Sequence, residues 1–199
     1  GKAYSNPGLA ARVAVPGDTI LIYPANYSGP FFIENLKGTP SKWIFMRGTD
    51  AARVVFSGGS ESMHFTDLQY VHLSNFTVRG QSGNGMNLDD GGTFESAAKK
   101  VVMENIVFRD MAATGNNDML KLSGLDSFEI INCQFENGST GGSGIDMVGC
   151  HYGSIRQCRF VQQGSNSIQA KGGSSNLHIE KNYFINGGQR SLNLGGSTG

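Results

Sequence analysis

Residues 144–199 read GIDMVGCHYGSIRQCRFVQQG, then SNSIQAKGGSSNLHIEKNYFINGG, then QRSLNLGGSTG. One short phrase recurs in this stretch: Ile145-Asp146-Met147, Ile168-Gln169-Ala170 and Leu192-Asn193-Leu194. Each is apolar, polar, apolar, so alternate side chains face one core. The central residues lie 23 and 24 residues apart. One strand pattern per period of about 24 residues points to a stacked solenoid.

The phrase extends backwards through Leu120-Lys121-Leu122, Met86-Asn87-Leu88 and Met63-His64-Phe65. A second phrase follows half a period later. It comprises Val71-His72-Leu73 with Phe76, Val102-Met103 with Ile106, Glu129-Ile130 with Cys133, Ser154-Ile155 with Cys158, and His178-Ile179 with Asn182. Two or three short strands per turn, joined by Gly, Asn and Ser corners, describe an all-β right-handed parallel β-helix. A leucine-rich repeat would need more leucine and a helical segment in each repeat.

The 199 residues are expected to form one elongated domain, with residues 1–62 as an N-terminal cap and first irregular coils and 63–199 as regular coils. The formal net charge is zero and no long basic run exists, which argues against a general nucleic-acid binder. No apolar stretch is long enough to span a membrane. The chain opens on Gly rather than Met and shows no signal peptide, so the expectation is a processed or recombinant fragment from which a leader could have been removed, and the location expected is secreted or periplasmic. It stops at 197–199 straight after a strand phrase. The expectation is therefore a solenoid truncated at its C-terminal end, or one whose end an oligomer covers.

Cys133 and Cys158 hold equivalent places in successive coils and should stack inside, at about 4.8 Å. That separation would permit a disulfide, but two small buried apolar residues are the plainer reading. Asn182 holds the same place one coil on and reads as an inward amide bonding the turn backbone. Asn75, Asn105 and Asn132 lie one position earlier and read as turn residues. Two segments exceed the period, 89–100 (DDGGTFESAAKK) and 109–118 (RDMAATGNND), and both border one strand face. Long loops around one face frame a binding surface.

Near the N-terminus, Val15-Pro16-Gly17-Asp18-Thr19-Ile20, then Asn26-Tyr27-Ser28-Gly29 and Gly38-Thr39, resemble the opening coils of secreted pectin-lyase-like β-helix proteins. That resemblance implies that the solenoid begins here, after a cap.

With the apolar residues of the first phrase inside, the middle residues point out: His64, Asn87, Lys121, Asp146, Gln169 and Asn193. Two residues on, the same face gains Asp89, Ser123, Val148, Lys171 and Gly195. This strip is polar and suited to bonding sugar hydroxyls and carboxylates. A solvated sheet face is the alternative.

Ile168-Gln169-Ala170-Lys171, followed by Asn176, Asn182-Tyr183-Phe184 and Leu192-Asn193-Leu194, resembles polysaccharide lyase family six, which includes alginate and chondroitin lyases. The resemblance covers about 35 residues and implies that Lys171 is the base. The chain departs from the family at two places. Gly195 stands where the family carries an arginine, and Ser165-Asn166-Ser167 stands where acidic calcium ligands are expected.

A uronate lyase neutralises the sugar carboxylate, removes the adjacent proton and protonates the leaving oxygen. Lys171 and Lys121 are candidate bases, His64 is a third, and Arg190 is a candidate bidentate carboxylate binder. Asn87, Asp146, Gln169 and Asn193 are candidate substrate-binding residues. Asp89 and Asp90 are candidate calcium ligands, with an acidic turn before Gly91-Gly92 as the alternative. The reading favours a β-eliminating lyase acting on an acidic polysaccharide. An inverting hydrolase using Asp89 and Asp146, about 10 Å apart by strand spacing, and a non-catalytic glycan-binding β-helix remain alternatives. As exposed side chains, Lys121 and Lys171 should be replaceable by alanine with folding nearly unchanged.

Overall fold

Along this chain, apolar and polar residues alternate for only a few positions before a residue with positive φ turns the backbone. The product is a coil of three short strands, repeated seven times. The computed structural model describes residues 1–92 and 96–196. The first coil holds β1 (Thr19–Ile22), β2 (Ala25–Tyr27) and β3 (Phe31–Glu34), and the second β4 (Ile44–Gly48), β5 (Val54–Ser57) and β6 (Met63–Thr66). The third holds β7 (Gln69–Ser74), β8 (Thr77–Arg79) and β9 (Met86–Asp89), and the fourth β10 (Ala98–Glu104), β11 (Val107–Arg109) and β12 (Leu120–Ser123). The fifth holds β13 (Leu125–Ile131), β14 (Gln134–Glu136) and β15 (Ile145–Val148). The sixth and seventh hold β16 (Ser154–Arg156), β17 (Arg159–Val161), β18 (Asn166–Lys171), β19 (His178–Glu180), β20 (Tyr183–Ile185) and β21 (Arg190–Leu194).

Every third strand pairs in parallel, giving three sheets of seven strands each. The first sheet runs β1-β4-β7-β10-β13-β16-β19, the second β2-β5-β8-β11-β14-β17-β20, and the third β3-β6-β9-β12-β15-β18-β21. Residues 63–65, 86–88, 120–122, 145–147, 168–170 and 192–194 lie in register in the third sheet, as the period requires. The sheets already take strands from residues 19–34, ahead of the regular phrases. Before them stands one short helix, α1 (Pro7–Ala11), capped by Asn6, whose Oδ1 accepts from the Leu9 amide at 3.0 Å.

In-register stacking makes like residues meet. Phe108, Phe135, Phe160 and Phe184 are paired neighbours in the second sheet, and their rings stack inside with centroids 5.0, 4.8 and 5.2 Å apart. Those separations match the strand spacing of about 4.8 Å. Cys133 and Cys158 are buried and free, behaving as small apolar residues. Asn182 follows them inward: its Oδ1 accepts from the Cys158 amide at 2.8 Å and its Nδ2 donates to Ile155 O at 2.9 Å.

Asn75, Asn105 and Asn132 turn the corner beside them with φ of 64°, 53° and 51°, in the left-handed region that asparagine tolerates. Asn105 Nδ2 donates to Asn75 Oδ1 at 2.7 Å, and Asn75 Nδ2 donates to Gly48 O at 2.6 Å. Gly48 holds this corner one coil earlier, and a Cβ there would lie 1.9 Å from Asn75 O.

Of the two long segments, 89–100 leaves the end of β9 and 109–118 leads into β12, so both border the third sheet. Residues 93–95 of the first lie outside the described residues, as do residues 197–199, on which the expectation of an uncapped end rests.

The ring stack should carry much of the stability. Phe135→Ala should cost about 3–5 kcal/mol, because stacked rings on both sides cannot collapse into the cavity. Tyr183, 70% exposed on the outer face of the same sheet, should cost less than about 0.5 kcal/mol as Tyr183→Ala. Equilibrium denaturation of the two variants measures the contrast.

Candidate functional site

The outer face of the third sheet carries three rows of side chains at a fixed spacing within each coil. The middle row is Phe32, His64, Asn87, Lys121, Asp146, Gln169 and Asn193, all in direct register. The row two residues on is Glu34, Thr66, Asp89, Ser123, Val148 and Lys171. A third row, three residues before the middle one, comprises Glu61, Asn84, Asp118, Ser143, Asn166 and Arg190. Of that row, sequence reasoning named only Arg190 as a functional candidate. The same period would have found the rest, but these residues sit at the corner entering each strand, outside the apolar–polar–apolar phrase.

The centre of the face is a cluster of two lysines and two carboxylates. Asp146 points outward on β15, yet it is only 1% exposed, because Lys121 from β12 and Lys171 from β18 lie over it. Lys121 Nζ donates to Asp146 Oδ2, and Lys171 Nζ stands 3.2 Å from the same oxygen. Asp146 Oδ1 has no hydrogen-bond partner among the described residues. Asp118, 3% exposed, accepts from the Ser143 amide at 2.7 Å through Oδ1, and its Oδ2 stands 3.9 Å from Lys121 Nζ. Burial, and then the neighbouring Asp146 charge, push the Asp118 carboxyl from its ordinary 3.8 up to about 6; the Ser143 amide and the two lysines offset only part of this.

The expectation that these lysines are freely replaceable does not survive this geometry. Their side chains are only 27% and 14% exposed, for Lys121 and Lys171 respectively. Lysine stems cover a shorter carboxylate while their charged ends bind it. Lys171→Ala strips a buried carboxylate of one of its cations and should lower stability by roughly 1–3 kcal/mol.

A second cluster lies two coils towards the N-terminus. His64 Nε2 stands 2.5 Å from Asp89 Oδ2, and His64 Nδ1 stands 3.3 Å from Glu61 Oε1. Burial opposes charging this imidazole, but the Asp89 hydrogen bond and the charges of Glu61 and Asp89 outweigh it, so its pKa is raised. Glu61 Oε2 accepts from Asn87 Nδ2, and Asn87 Oδ1 accepts from Asn84 Nδ2 at 2.9 Å. Asn84 Oδ1 in turn accepts from the Asp118 amide at 2.8 Å, linking the two clusters. The polar strip is thus continuous from Glu61 to Lys171.

The remaining candidates lie at the strip's edges. Gln169 Oε1 accepts from Asn166 Nδ2 at 3.1 Å and from Ser143 Oγ at 3.3 Å, so its amide is oriented within the strip. Asn193 continues the middle row on β21, next to Gln169. Arg190 is exposed at the start of the same strand, in register with Asn166. Asp89 engages both oxygens inside the chain, with His64 and with the Gly91 amide at 2.9 Å. Asp90 Oδ1 accepts from the Gly92 amide at 2.9 Å. Among the described residues, no three His, Cys, Asp or Glu side chains are grouped to hold a metal ion.

Asp118 gives the site a pH signature. A carboxyl whose pKa is higher folded than unfolded binds protons more tightly in the folded state. Its contribution to stability is therefore present at low pH and is lost as pH rises from about 4 through about 6. Asp118→Asn should flatten that part of the stability profile relative to the wild type. Melting temperatures of both proteins from pH 4 to pH 8 supply the difference curve.

No curated protein sequence matches the chain. Several solved structures share its architecture, among them two lyases. One is an alginate lyase from Paenibacillus sp. str. FPU-7, 17% identical, with 88% of this chain and 72% of that one aligned at a TM-score of 0.52. The other is pectate lyase Pel9A, 15% identical, with 94% of this chain aligned at a TM-score of 0.63. The chain spans about half, 52%, of that lyase's length. At these identities the likeness is one of fold. Residues 57–198 match the family model described as a right handed beta helix region, and with the coils above this places the chain in that family.

Proposed function

We propose that the chain binds an acidic polysaccharide along the third sheet and cleaves it by β-elimination, as a secreted or periplasmic protein. The observation that carries this reading is the pair of lysines on alternate coils, β12 and β18, converging on one buried carboxylate midway along a polar strip. The strip runs across neighbouring coils for six strand spacings from β3 to β21, about 29 Å, which suits an extended glycan lying parallel to the solenoid axis. The two solved structures described above are named as lyases, of alginate and of pectate. A polymer substrate fits a protein outside the cytoplasm, and no helix among the described residues is long and apolar enough to cross a membrane.

In the proposed reaction Lys121 neutralises the uronate carboxylate, which acidifies the adjacent ring proton. Lys171, once it has left Asp146 and given up its own ammonium proton to solvent, takes that proton as a neutral amine. The electron pair of the broken C–H bond forms the new ring double bond, the bond from the ring to the glycosidic oxygen breaks, and that oxygen leaves with the proton that the Lys171 ammonium now carries. Asn87, Gln169 and Asn193 bond neighbouring hydroxyls, and Arg190 meets a second carboxylate. His64 is the alternative base, held between Glu61 and Asp89. A calcium ion held by Asp89 and Asp90 would have to displace His64 and the Gly91 amide from Asp89, and would then supply further neutralisation of substrate carboxylates. One observation favours a second reading, a non-catalytic glycan-binding module: Asp146 already engages both lysines.

The test is incubation with alginate, pectate and glycosaminoglycans, with calcium and with a chelator. Lyase action produces an unsaturated sugar absorbing in the ultraviolet. Lys171→Arg keeps the cation but supplies no usable base, so it should abolish at least about 99% of turnover while retaining glycan affinity within a few-fold. Cleavage yielding only reducing ends points to a hydrolase, and binding without cleavage points to the module.

A further inference from the structure

The outward middle row does not begin with a polar residue. Its first member is Phe32, on β3, a residue that is 56% exposed. Phe32 is in register with His64, and the two rings lie 5.7 Å apart at 35°. An exposed aromatic at the end of a polar strip has no packing role that requires it to face water. Beside it lies a groove of about 170 Å³, lined by Phe32, Pro30, Leu9 and Arg12. Arg12 is exposed and takes part in no ion pair among the described residues, while Leu9 is 40% exposed. An aromatic face, an aliphatic wall and an unpaired guanidinium suit one sugar ring with a carboxylate. The ring's C–H face packs on the aromatic, and the guanidinium takes the carboxylate bidentately.

We infer that Phe32 and Arg12 form a distal subsite for one uronate residue of the bound polysaccharide. This rests on the polysaccharide reading above and adds the subsite that extends it. Phe32 stands three strand spacings from Lys121 along the same row, about 14 Å, so a chain held at the lysines reaches Phe32 only if it is several sugars long. The subsite therefore sets a preference for longer chains without touching the reacting bond. Phe32 joins the groove to the row, because it lines the groove and its ring also contacts that of His64 on the adjacent strand.

The test is calorimetric titration with trisaccharides and hexasaccharides of galacturonate and of mannuronate. The variants are made and titrated on Lys171→Arg as the non-cleaving parent, and the wild type is titrated separately as a binding control. On that parent, Phe32→Ala should lower affinity for the bound hexasaccharide about tenfold, a loss of about 1.4 kcal/mol, and leave the trisaccharide unchanged. Phe32→Tyr should retain both affinities. Arg12→Gln should weaken the hexasaccharide and reduce the salt dependence of its binding. Equal hexasaccharide affinity in Phe32→Ala and its parent overturns the subsite and leaves the polysaccharide reading standing. If neither the wild type nor the parent binds any of the four sugars, nor alginate, pectate or glycosaminoglycans, the polysaccharide reading falls and the subsite falls with it. A protein that sediments as a dimer, and as a monomer after Phe32→Ala, shows the groove covered by a second copy and also overturns the subsite.

Discussion

Every position in this solenoid meets its own counterpart one coil away, at the fixed spacing of paired strands. That constraint governs the rest of the molecule. It suits flat or small apolar groups, so phenylalanine stacks on phenylalanine and cysteine lies over cysteine in the core. It suits asparagine at corners, where one amide bonds the next. It penalises like charges, and the outer faces show how the penalty is met. Glu129 reaches Arg156 at 3.0 Å and Glu136 reaches Arg159 at 2.6 Å, each a diagonal pair on neighbouring strands two residues out of direct register. Where Arg79 and Arg109 do stack in register, the Asp110 carboxylate stands 3.9 Å from each.

The candidate site departs from this economy. Lys121 and Asp146 oppose each other as the rule requires, but Lys171 joins from the next coil and two residues along. Asp118 adds a second carboxylate beneath them. Two acids and two lysines share one small volume, and burial forces Asp118 to hold its proton to about pH 6. Such concentration of charge is costly, and its siting at the middle of the strip is the physical reason to look for chemistry there. The His64 cluster, with two carboxylates about one imidazole, repeats the pattern on a smaller scale.

The solvent side of a β-helix is less constrained than its core, which is why fold and chemistry separate here. The inner residues fix sheet order and register for any sequence that satisfies them. The outer rows vary freely, so structures with this architecture at 15–17% identity share the coil and need not share the residues on it.

The sequence alone determined the coil. A period near 24 and alternation within each strand are local properties, and they placed the third sheet's strands in register without reference to any contact. It also gave the inward role of Asn182 and the turn role of Asn75, Asn105 and Asn132, since each follows from position within the repeat. Tertiary structure decided everything that depends on long side chains crossing between coils. Lysine is flexible enough to lie over a neighbour, so alternation cannot tell that outward-pointing Asp146 is buried or that Lys171 is clamped. The entry row of Glu61, Asn84 and Asp118 lies where the backbone turns, and only the folded corner aims those side chains onto the strip. Phe32 precedes the regular phrases, and its place at the head of the polar row follows from β3 pairing with β6, a contact between residues about 30 positions apart.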